Sequence, residues 1–283
     1  MISFPNAKIN LGLNIVSKRP DGYHNIETVF YPVQLRDVLE IVPASPPRRD
    51  RACPVSTACP VSTTTFAQTG IPITGDPQKN LVMKAYQLLK AQYEIPEIDI
   101  YLQKNIPFGA GLGGGSADAA FMLKLLNDFA ELHLPPEELE ELAARIGADC
   151  PFFIQNKPVF AEGTGTVFSP VNLSLSGYYL YLVKPEVHVS TQEAYAGVKP
   201  QSPKESIRDI IRDPVPTWKD RLVNDFETSI FARFPEISVL KQKMYDRGAV
   251  YASMSGSGSS VFGIFEAPEK LETEFPHLSV MVI

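Results

Sequence analysis

Pro107-Phe108-Gly109-Ala110-Gly111-Leu112-Gly113-Gly114-Gly115-Ser116-Ala117-Asp118-Ala119-Ala120 sets five glycines within seven residues. The stretch lies between an alternating run (Ile98, Ile100, Leu102) and a helix-like run from Ala117 to Leu126. Glycine has no Cβ, so the backbone can take φ > 0 and approach a ligand closely. A loop of this kind feeding a helix turns several unpaired N–H groups toward one point, which suits phosphate oxygens. Ser116 falls where an N-cap or a ligand-facing hydroxyl is expected. A flexible linker is the bland alternative, but a linker is not framed by a patterned strand and helix.

The kind of phosphate loop is narrowed by what is missing. A Walker loop needs Gly-Lys-Ser/Thr at the helix start, and no lysine stands there. Gly109-x-Gly111-x-x-Gly114 fits the dinucleotide fingerprint formally, but that fingerprint also needs a strand with an acidic end about twenty residues on. Here helix, Pro135-Pro136 and helix again follow, so no βαβ unit closes. The HRD and DFG marks of protein kinases are absent.

Apolar content of 44% and charged content of 20% are ordinary for a globular chain of 283 residues, long enough for one large or two modest domains. A formal charge of −6 argues against a broad nucleic-acid surface but not against phosphate ligands, which need only a few local lysines and amides. No apolar run reaches the ~18 residues of a membrane span, and no signal-peptide pattern is present. Three cysteines without zinc spacing (Cys53, Cys59, Cys150) fit a reducing cytoplasm, and Cys150 reads as a packed thiol.

Outward from the loop, Ile9, Leu11, Leu13 and Ile15 alternate with Lys8, Asn10, Gly12 and Asn14, the pattern of a half-buried strand with Lys8 and Asn10 on one face. A turn at Arg19-Pro20-Asp21-Gly22 leads to Tyr23-His24 and a second strand, Ile26 to Val33. Asn80 is a plausible N-cap for a helix to about Tyr93. Helices are expected from Ser116 to about Leu132, from Pro136 to Gly147, from Trp218 to Arg233 and from Pro235 to Arg247. Alternating strands are expected over 158–183, and strand, Gly/Ser loop, strand over Ala249 to Phe265. Residues 44–66 contain Ala-Cys-Pro-Val-Ser-Thr twice in tandem, flanked by prolines and arginines, and read as a surface insertion.

Taken together, the glycine loop, Pro5-x-Ala7-Lys8-Ile9-Asn10-Leu11, Gly147-Ala148-Asp149-Cys150-Pro151-Phe152-Phe153 and the Ser255–Ser260 loop resemble the motifs of the GHMP small-molecule kinases in their expected order. The Asp21-Gly22-Tyr23-His24 turn resembles the branch whose acceptor carries cytidine diphosphate. The resemblance covers nearly the whole chain outside 44–66. It implies an α+β, two-lobe architecture: an N-terminal lobe like ribosomal protein S5 domain 2 over 1–155, and a ferredoxin-like C-terminal lobe over 156–283. It further implies transfer of the γ-phosphate of ATP, with Mg²⁺, to the 2-hydroxyl of a cytidine-diphosphate-linked methylerythritol in non-mevalonate isoprenoid synthesis. By the same resemblance Lys8 and Asp149 are catalytic. Pro107, Phe108, Gly109, Ala110, Gly111, Leu112, Gly113, Gly114, Gly115 and Ser116 hold ATP phosphates, with Asn80, Leu81 and Lys104 around its base. Asn10, Tyr23, His24 and Tyr195 contact the cytidylyl substrate, and Ser116 is a candidate Mg²⁺ ligand. Another GHMP sugar, homoserine or mevalonate kinase, or a non-catalytic nucleotide-binding relative, are the alternatives.

Overall fold

The computed structural model describes residues 1–44, 64–73, 75–271, 275 and 278–282. The tandem hexapeptide and most of the expected 44–66 insertion lie outside these residues. The chain opens with β1 (Ile2–Ser3), β2 (Asn6–Lys18) and β3 (His24–Arg36), the last two an antiparallel hairpin around the Arg19–Gly22 turn. Then come β4 (Val38–Pro43), β5 (Thr65–Gly70), α1 (Leu81–Lys90) and β6 (Ile98–Lys104). α2 (Gly114–Phe129), α3 (Pro136–Ala144) and α4 (Phe152–Gln155) follow, then the hairpin of β7 (Val159–Glu162) and β8 (Val167–Pro170). The remainder is β9 (Tyr179–Val183), α5 (Thr191–Ala196), α6 (Ile207–Ile210), α7 (Phe226–Arg233), α8 (Pro235–Asp246), β10 (Tyr251–Met254), β11 (Val261–Phe265) and β12 (Leu278–Val282).

Three four-stranded sheets result, ordered β1-β4-β6-β5, β2-β3-β7-β8 and β10-β11-β9-β12. Among these ladders only β5 and β6 pair in parallel. α1 and α2 bury Leu89, Leu123 and Leu126 against Leu39, Ile41, Ile100 and Leu102 of the first sheet. A second core joins β2 to the C-terminal sheet through Ile9, Leu11, Leu182 and Phe262. Trp218, the one tryptophan of the chain, is fully buried in this second core. Its Nε1 donates to the Asp213 carbonyl at 2.9 Å, and its ring meets the edge of Tyr251 at 5.6 Å.

Several expectations change on contact with tertiary structure. β2 is not half-buried: Asn6 to Ile15 are buried on both faces, because the glycine loop and a C-terminal turn cover the face that carries Lys8 and Asn10. Residues 218–225 are not helical. Residues 218–222 form a turn in which Leu222 N–H donates to the Trp218 carbonyl, and β2 takes 223–225, with Leu13 N–H donating to the Val223 carbonyl and Asp225 N–H to the Leu13 carbonyl, all at 2.8 Å. The helix after the glycine loop starts at Gly114, capped by Gly113 at φ 68°, so Ser116 lies inside the first turn and is not the N-cap. Asn80 does cap α1, its Oδ1 accepting from Val82 N–H at 2.9 Å. β5 begins at Thr65, so Thr65 and Phe66, expected within the 44–66 insertion, belong instead to a strand that no alternating pattern announces.

Candidate active site

Three segments distant in sequence meet at one point. β2 brings Lys8, whose backbone N–H donates to the Leu112 carbonyl of the glycine loop at 2.9 Å. Its aliphatic stem runs beside Gly113, where an added Cβ would stand 3.2 Å from Lys8 Cγ and Cε. The ammonium donates to Asn10 Oδ1 at 2.6 Å, lies 3.6 Å from Asp149 Oδ2 and sits over the Phe30 ring, 4.8 Å from its centroid. Asn10 Nδ2 donates to Thr28 Oγ1 at 2.9 Å, so the amide that aims the lysine is itself fixed. Burial pushes the Lys8 ammonium below its ordinary pKa, and the Asp149 carboxylate pulls it partly back. A lone cation in such a place is costly; the carboxylate and the amide oxygen make it tenable.

The third segment is the turn between β10 and β11. Ser255 Oγ donates to the Gly111 carbonyl at 2.9 Å and accepts from Asn10 N–H at 3.3 Å. Gly111 has φ +75°, and a Cβ there would stand 1.9 Å from the Ser255 carbonyl oxygen. Both the left-handed backbone and the absence of a side chain are therefore required at this position.

The glycine loop also forms one wall of a cleft of about 840 Å³, of the size that holds a nucleotide. All of residues 106–116 line it, with Asn80, Leu81, Lys104 and Asp118, and β5 supplies Phe66, Gln68 and Thr69. In its floor Lys104 is clamped between two buried carboxylates, donating to Asp37 Oδ2 and, at 2.6 Å, to Asp118 Oδ2. Asp37 Oδ1 accepts from the N–H groups of Asn105 and Ile106, tying this cluster to the entry of the loop. Asp118 Oδ1 is buried without a partner, and burial pushes the Asp118 carboxyl above the usual carboxylate range, against the pull of Lys104.

An aromatic pair lies outside the cleft. The His24 and Tyr195 rings stack at 4.8 Å with 19° between their planes, and the edge of Phe226 meets Tyr195 at 4.9 Å. Tyr195 is presented by α5, which a Ser190–Glu193 capping box opens. Burial, and then the charge of Asp149, raise the Tyr195 phenol, which places the aromatic pair within electrostatic reach of the Lys8–Asp149 pair. Neither Lys8, Asp149, His24 nor Tyr195 lines the cleft.

Comparison with known proteins bears on this arrangement directly. The GHMP kinases N terminal domain matches residues 80–157, and the GHMP kinases C terminal domain matches 216–276. The chain is 62% identical to the 4-diphosphocytidyl-2-C-methyl-D-erythritol kinase of Parabacteroides distasonis over 95% of its own length and 93% of that protein's. It is 57% identical to the kinase of the same name from Bacteroides fragilis, over 96% and 94% of the two chains. The chain belongs to the 4-diphosphocytidyl-2-C-methyl-D-erythritol kinase family. A crystal structure of 4-(cytidine 5'-diphospho)-2C-methyl-D-erythritol kinase superposes with a TM-score of 0.78 at 29% identity, covering 99% of this chain and 98% of that one. Like other GHMP kinases, the family member described here has an α+β fold and is an ATP-dependent small-molecule kinase.

Within this family framework most of the expected site residues fall into two groups. The glycine loop, Asn80, Leu81 and Lys104 share the cleft. Lys8, Asn10 and Asp149 are together beside it, with His24 and Tyr195 adjoining. Tyr23 stands apart, 67% exposed, with its N–H donating to Asp21 Oδ1 at 3.1 Å. Asn10 is turned inward, its amide engaged by Lys8 and Thr28. Burial, with Lys18 nearby, lowers the His24 pKa and so favours a neutral ring near pH 7. Cys150 is a buried thiol raised to about 11 by burial, as its sequence setting suggests. Asp37, Asp118 and Asn224 carry no assigned role in the sequence reading, and Ser255 enters it only as part of a motif loop. Asp118 did carry a signal: it is a carboxylate within the buried run Ala117–Ala120.

Proposed function

We propose that this kinase transfers the γ-phosphate of ATP to the 2-hydroxyl of 4-diphosphocytidyl-2-C-methyl-D-erythritol, with ATP in the glycine-loop cleft and the cytidine at the aromatic pair. The observation that carries this reading is the Lys8–Asp149 pair at 3.6 Å, with the Lys8 stem against Gly113 of the glycine loop and Asp149 within electrostatic reach of Tyr195, which stacks on His24. The acceptor oxygen attacks the γ-phosphorus, the bond to the β,γ-bridging oxygen breaks, and the hydroxyl proton passes to Asp149. Lys8 steadies the negative charge on the transferring group and orients the hydroxyl. Phosphoryl transfer asks mainly for positioning and charge stabilisation, which is what a buried, pre-aimed ammonium supplies.

The 109–116 amides hold the α- and β-phosphates, and Asn80, Leu81 and Lys104 surround the base. Magnesium fits as the ion of the nucleotide, not as a resident of the protein. Among the described residues no group of three or more His, Cys, Asp or Glu could hold a metal, and Mg²⁺ commonly keeps water and phosphate ligands. Ser116, on the cleft wall, would complete its shell, and the ion would offset phosphate charge. The sheet pairings support a two-lobe division in which the β2-β3-β7-β8 sheet belongs to an S5-like first lobe. That pairing favours a lobe boundary after Pro170, beyond residue 155. The antiparallel β10-β11-β9-β12 sheet with α7 and α8 then forms a ferredoxin-like second lobe. A reducing cytoplasm, where ATP is available, suits the free Cys150.

The test is ATP consumption with the cytidylyl substrate beside galactose, homoserine and mevalonate. Turnover with the cytidylyl substrate alone is expected. Equal turnover with any of the other three would overturn the assignment.

A further inference from the structure

The segment Asn224-Asp225-Phe226-Glu227 touches neither the cleft nor the Lys8–Asp149 pair, yet its four side chains reach β2, β10 with the turn that follows it, and the aromatic pair. Asn224 is 3% exposed, and its Nδ2 donates to the carbonyls of Met254 at 2.8 Å and Gly256 at 2.9 Å. Its Oδ1 accepts from Phe226 N–H at 3.0 Å. Asp225 Oδ2 accepts from Ile15 N–H of β2 at 2.7 Å. Phe226 supports the Tyr195 ring. Glu227 Oε1 accepts from Met254 N–H at 2.8 Å and Ser253 Oγ at 3.1 Å, while its Oε2 is held by Lys241 at 2.6 Å.

The carbonyls that Asn224 grips belong to the turn that closes on the site. Ser255 lies between them, bonded to Gly111 and Asn10. Gly256 is equally close: a Cβ there would stand 3.2 Å from Asn10 Oδ1, the atom that aims Lys8, and 3.3 Å from the Gly111 carbonyl. An amide NH₂ is well suited to this grip. It donates twice along fixed directions, one proton to each carbonyl, and so ties the two ends of the turn to one side chain; the Met254 carbonyl accepts in addition from Ser253 Oγ at 3.3 Å.

We infer that Asn224 is a positioning residue for phosphoryl transfer, fixing the 254–256 turn in the register at which Ser255 and Gly256 brace both the glycine loop and the Lys8–Asn10 pair. The inference rests on the roles proposed above for Lys8 and the glycine loop. Its NH₂ acts on the turn, while its Oδ1 faces Phe226 N–H beside the aromatic pair; a change that removes the NH₂ and keeps the Oδ1 acceptor therefore separates kcat from acceptor binding.

The experiment compares Asn224→Asp, Ser255→Ala and the double variant with the wild type, each checked for native near-ultraviolet dichroism. Asn224→Asp keeps shape and the acceptor for Phe226 N–H but sets a carboxylate against two carbonyls. Each single change is expected to lower kcat about tenfold or more, with KM for the cytidylyl substrate within about twofold of wild type. Because both act through one turn, the double variant should lose little beyond the worse single. A kcat within twofold of wild type in folded Asn224→Asp overturns the inference, as do losses that multiply in the double variant. Should Asn224→Asp not fold, Asn224→Ser takes its place, and either of those two results overturns the inference in the same way. If the wild type itself ignores the cytidylyl substrate, the substrate assignment fails, and the series is run with the acceptor that the wild type does phosphorylate.

Discussion

On the glycine-loop side, Lys8, Lys104 and Ser255 are buried and each is tied to at least two named groups, whereas on the aromatic side Tyr23 projects into solvent and His24 and Tyr195 stack on each other. The difference matches the two tasks. Transfer of a phosphoryl group gains from charges and amides that do not reorganise during the reaction. Admission of a flat base asks for movement. A ring seated between two others needs them roughly 7 Å apart at ordinary carbon contact distances. The His24–Tyr195 stack, at 4.8 Å, must part before cytosine can lie between those two rings. On the proposed assignment, one side has to stay and the other has to give way.

The most damaging way to break the rigid side is Gly111→Ala. The new Cβ meets the Ser255 carbonyl at 1.9 Å on a backbone of positive φ, so loop and turn must separate. Turnover should fall on the order of 10²- to 10³-fold, since even a displacement near 1 Å can cost 10²-fold. Steady-state kinetics on folded protein decides it, and a variant with near-normal kcat would show that the contact yields freely.

Next come the groups proposed to act on the reacting atoms. Lys8→Ala and Asp149→Asn should each fold and lose on the order of 10²-fold in kcat. Their pH dependence sharpens the point. Burial lowers the Lys8 pKa and Asp149 raises it, so the alkaline limb of kcat should begin below the ordinary lysine range of 10.5. Asp149→Asn removes the raising influence, and the residual activity should therefore fade at lower pH still. An alkaline limb that does not move between the two proteins would separate this pair.

The yielding side should respond in KM. Tyr195→Ala and His24→Ala are each expected to raise KM for the cytidylyl substrate about tenfold, the scale of a lost aromatic contact, while KM for ATP stays near wild type. Tyr195→Phe keeps the ring and should be mild. The reverse pattern, with ATP affected and the cytidylyl substrate untouched, would exchange the two pockets.

The smallest effect lies far from either side. Glu97, bonded by Lys90, Thr64 and Tyr86, has its carboxyl held at about 2 against an ordinary 4.5. Its folded pKa is depressed, so the stability it contributes is complete above about 4.5 and is lost as pH falls through about 2. Glu97 is partly exposed, which keeps this contribution small. The melting-temperature advantage of wild type over Glu97→Gln should therefore be slight at neutral pH and vanish across that acid window.

What the sequence made legible follows the same divide. The glycine loop, the helix it feeds and the β10–β11 hairpin are local patterns, readable because glycine content and hydrophobic period act over a few residues. The Lys8–Asp149 proximity was accessible only through the order of motifs, since the two groups are 141 positions apart in the chain. Asp37 and Asn224 were not legible at all. Each lies in a stretch whose conformation is decided by distant partners: the amides of Asn105 and Ile106 for Asp37, and β2 with the Met254–Gly256 turn for Asn224. The helix expected over Trp218–Arg233 forms only from Phe226 onward for that reason. Local propensity favoured it, and a pair of backbone hydrogen bonds to Leu13 outweighed propensity through residue 225.

The burial of Trp218 has a practical corollary in fluorescence. As the one indole of the chain, sealed in the core that joins β2 to the C-terminal sheet, it should emit like a dry chromophore while that junction holds. Its emission would shift to the red only when water reaches the junction. Ligands entering the cleft or parting the aromatic stack would leave the signal largely quiet, because Trp218 is neither a cleft residue nor a member of that stack. A denaturant titration followed by this emission thus reports when the two halves come apart, undisturbed by the opening motions of the working site.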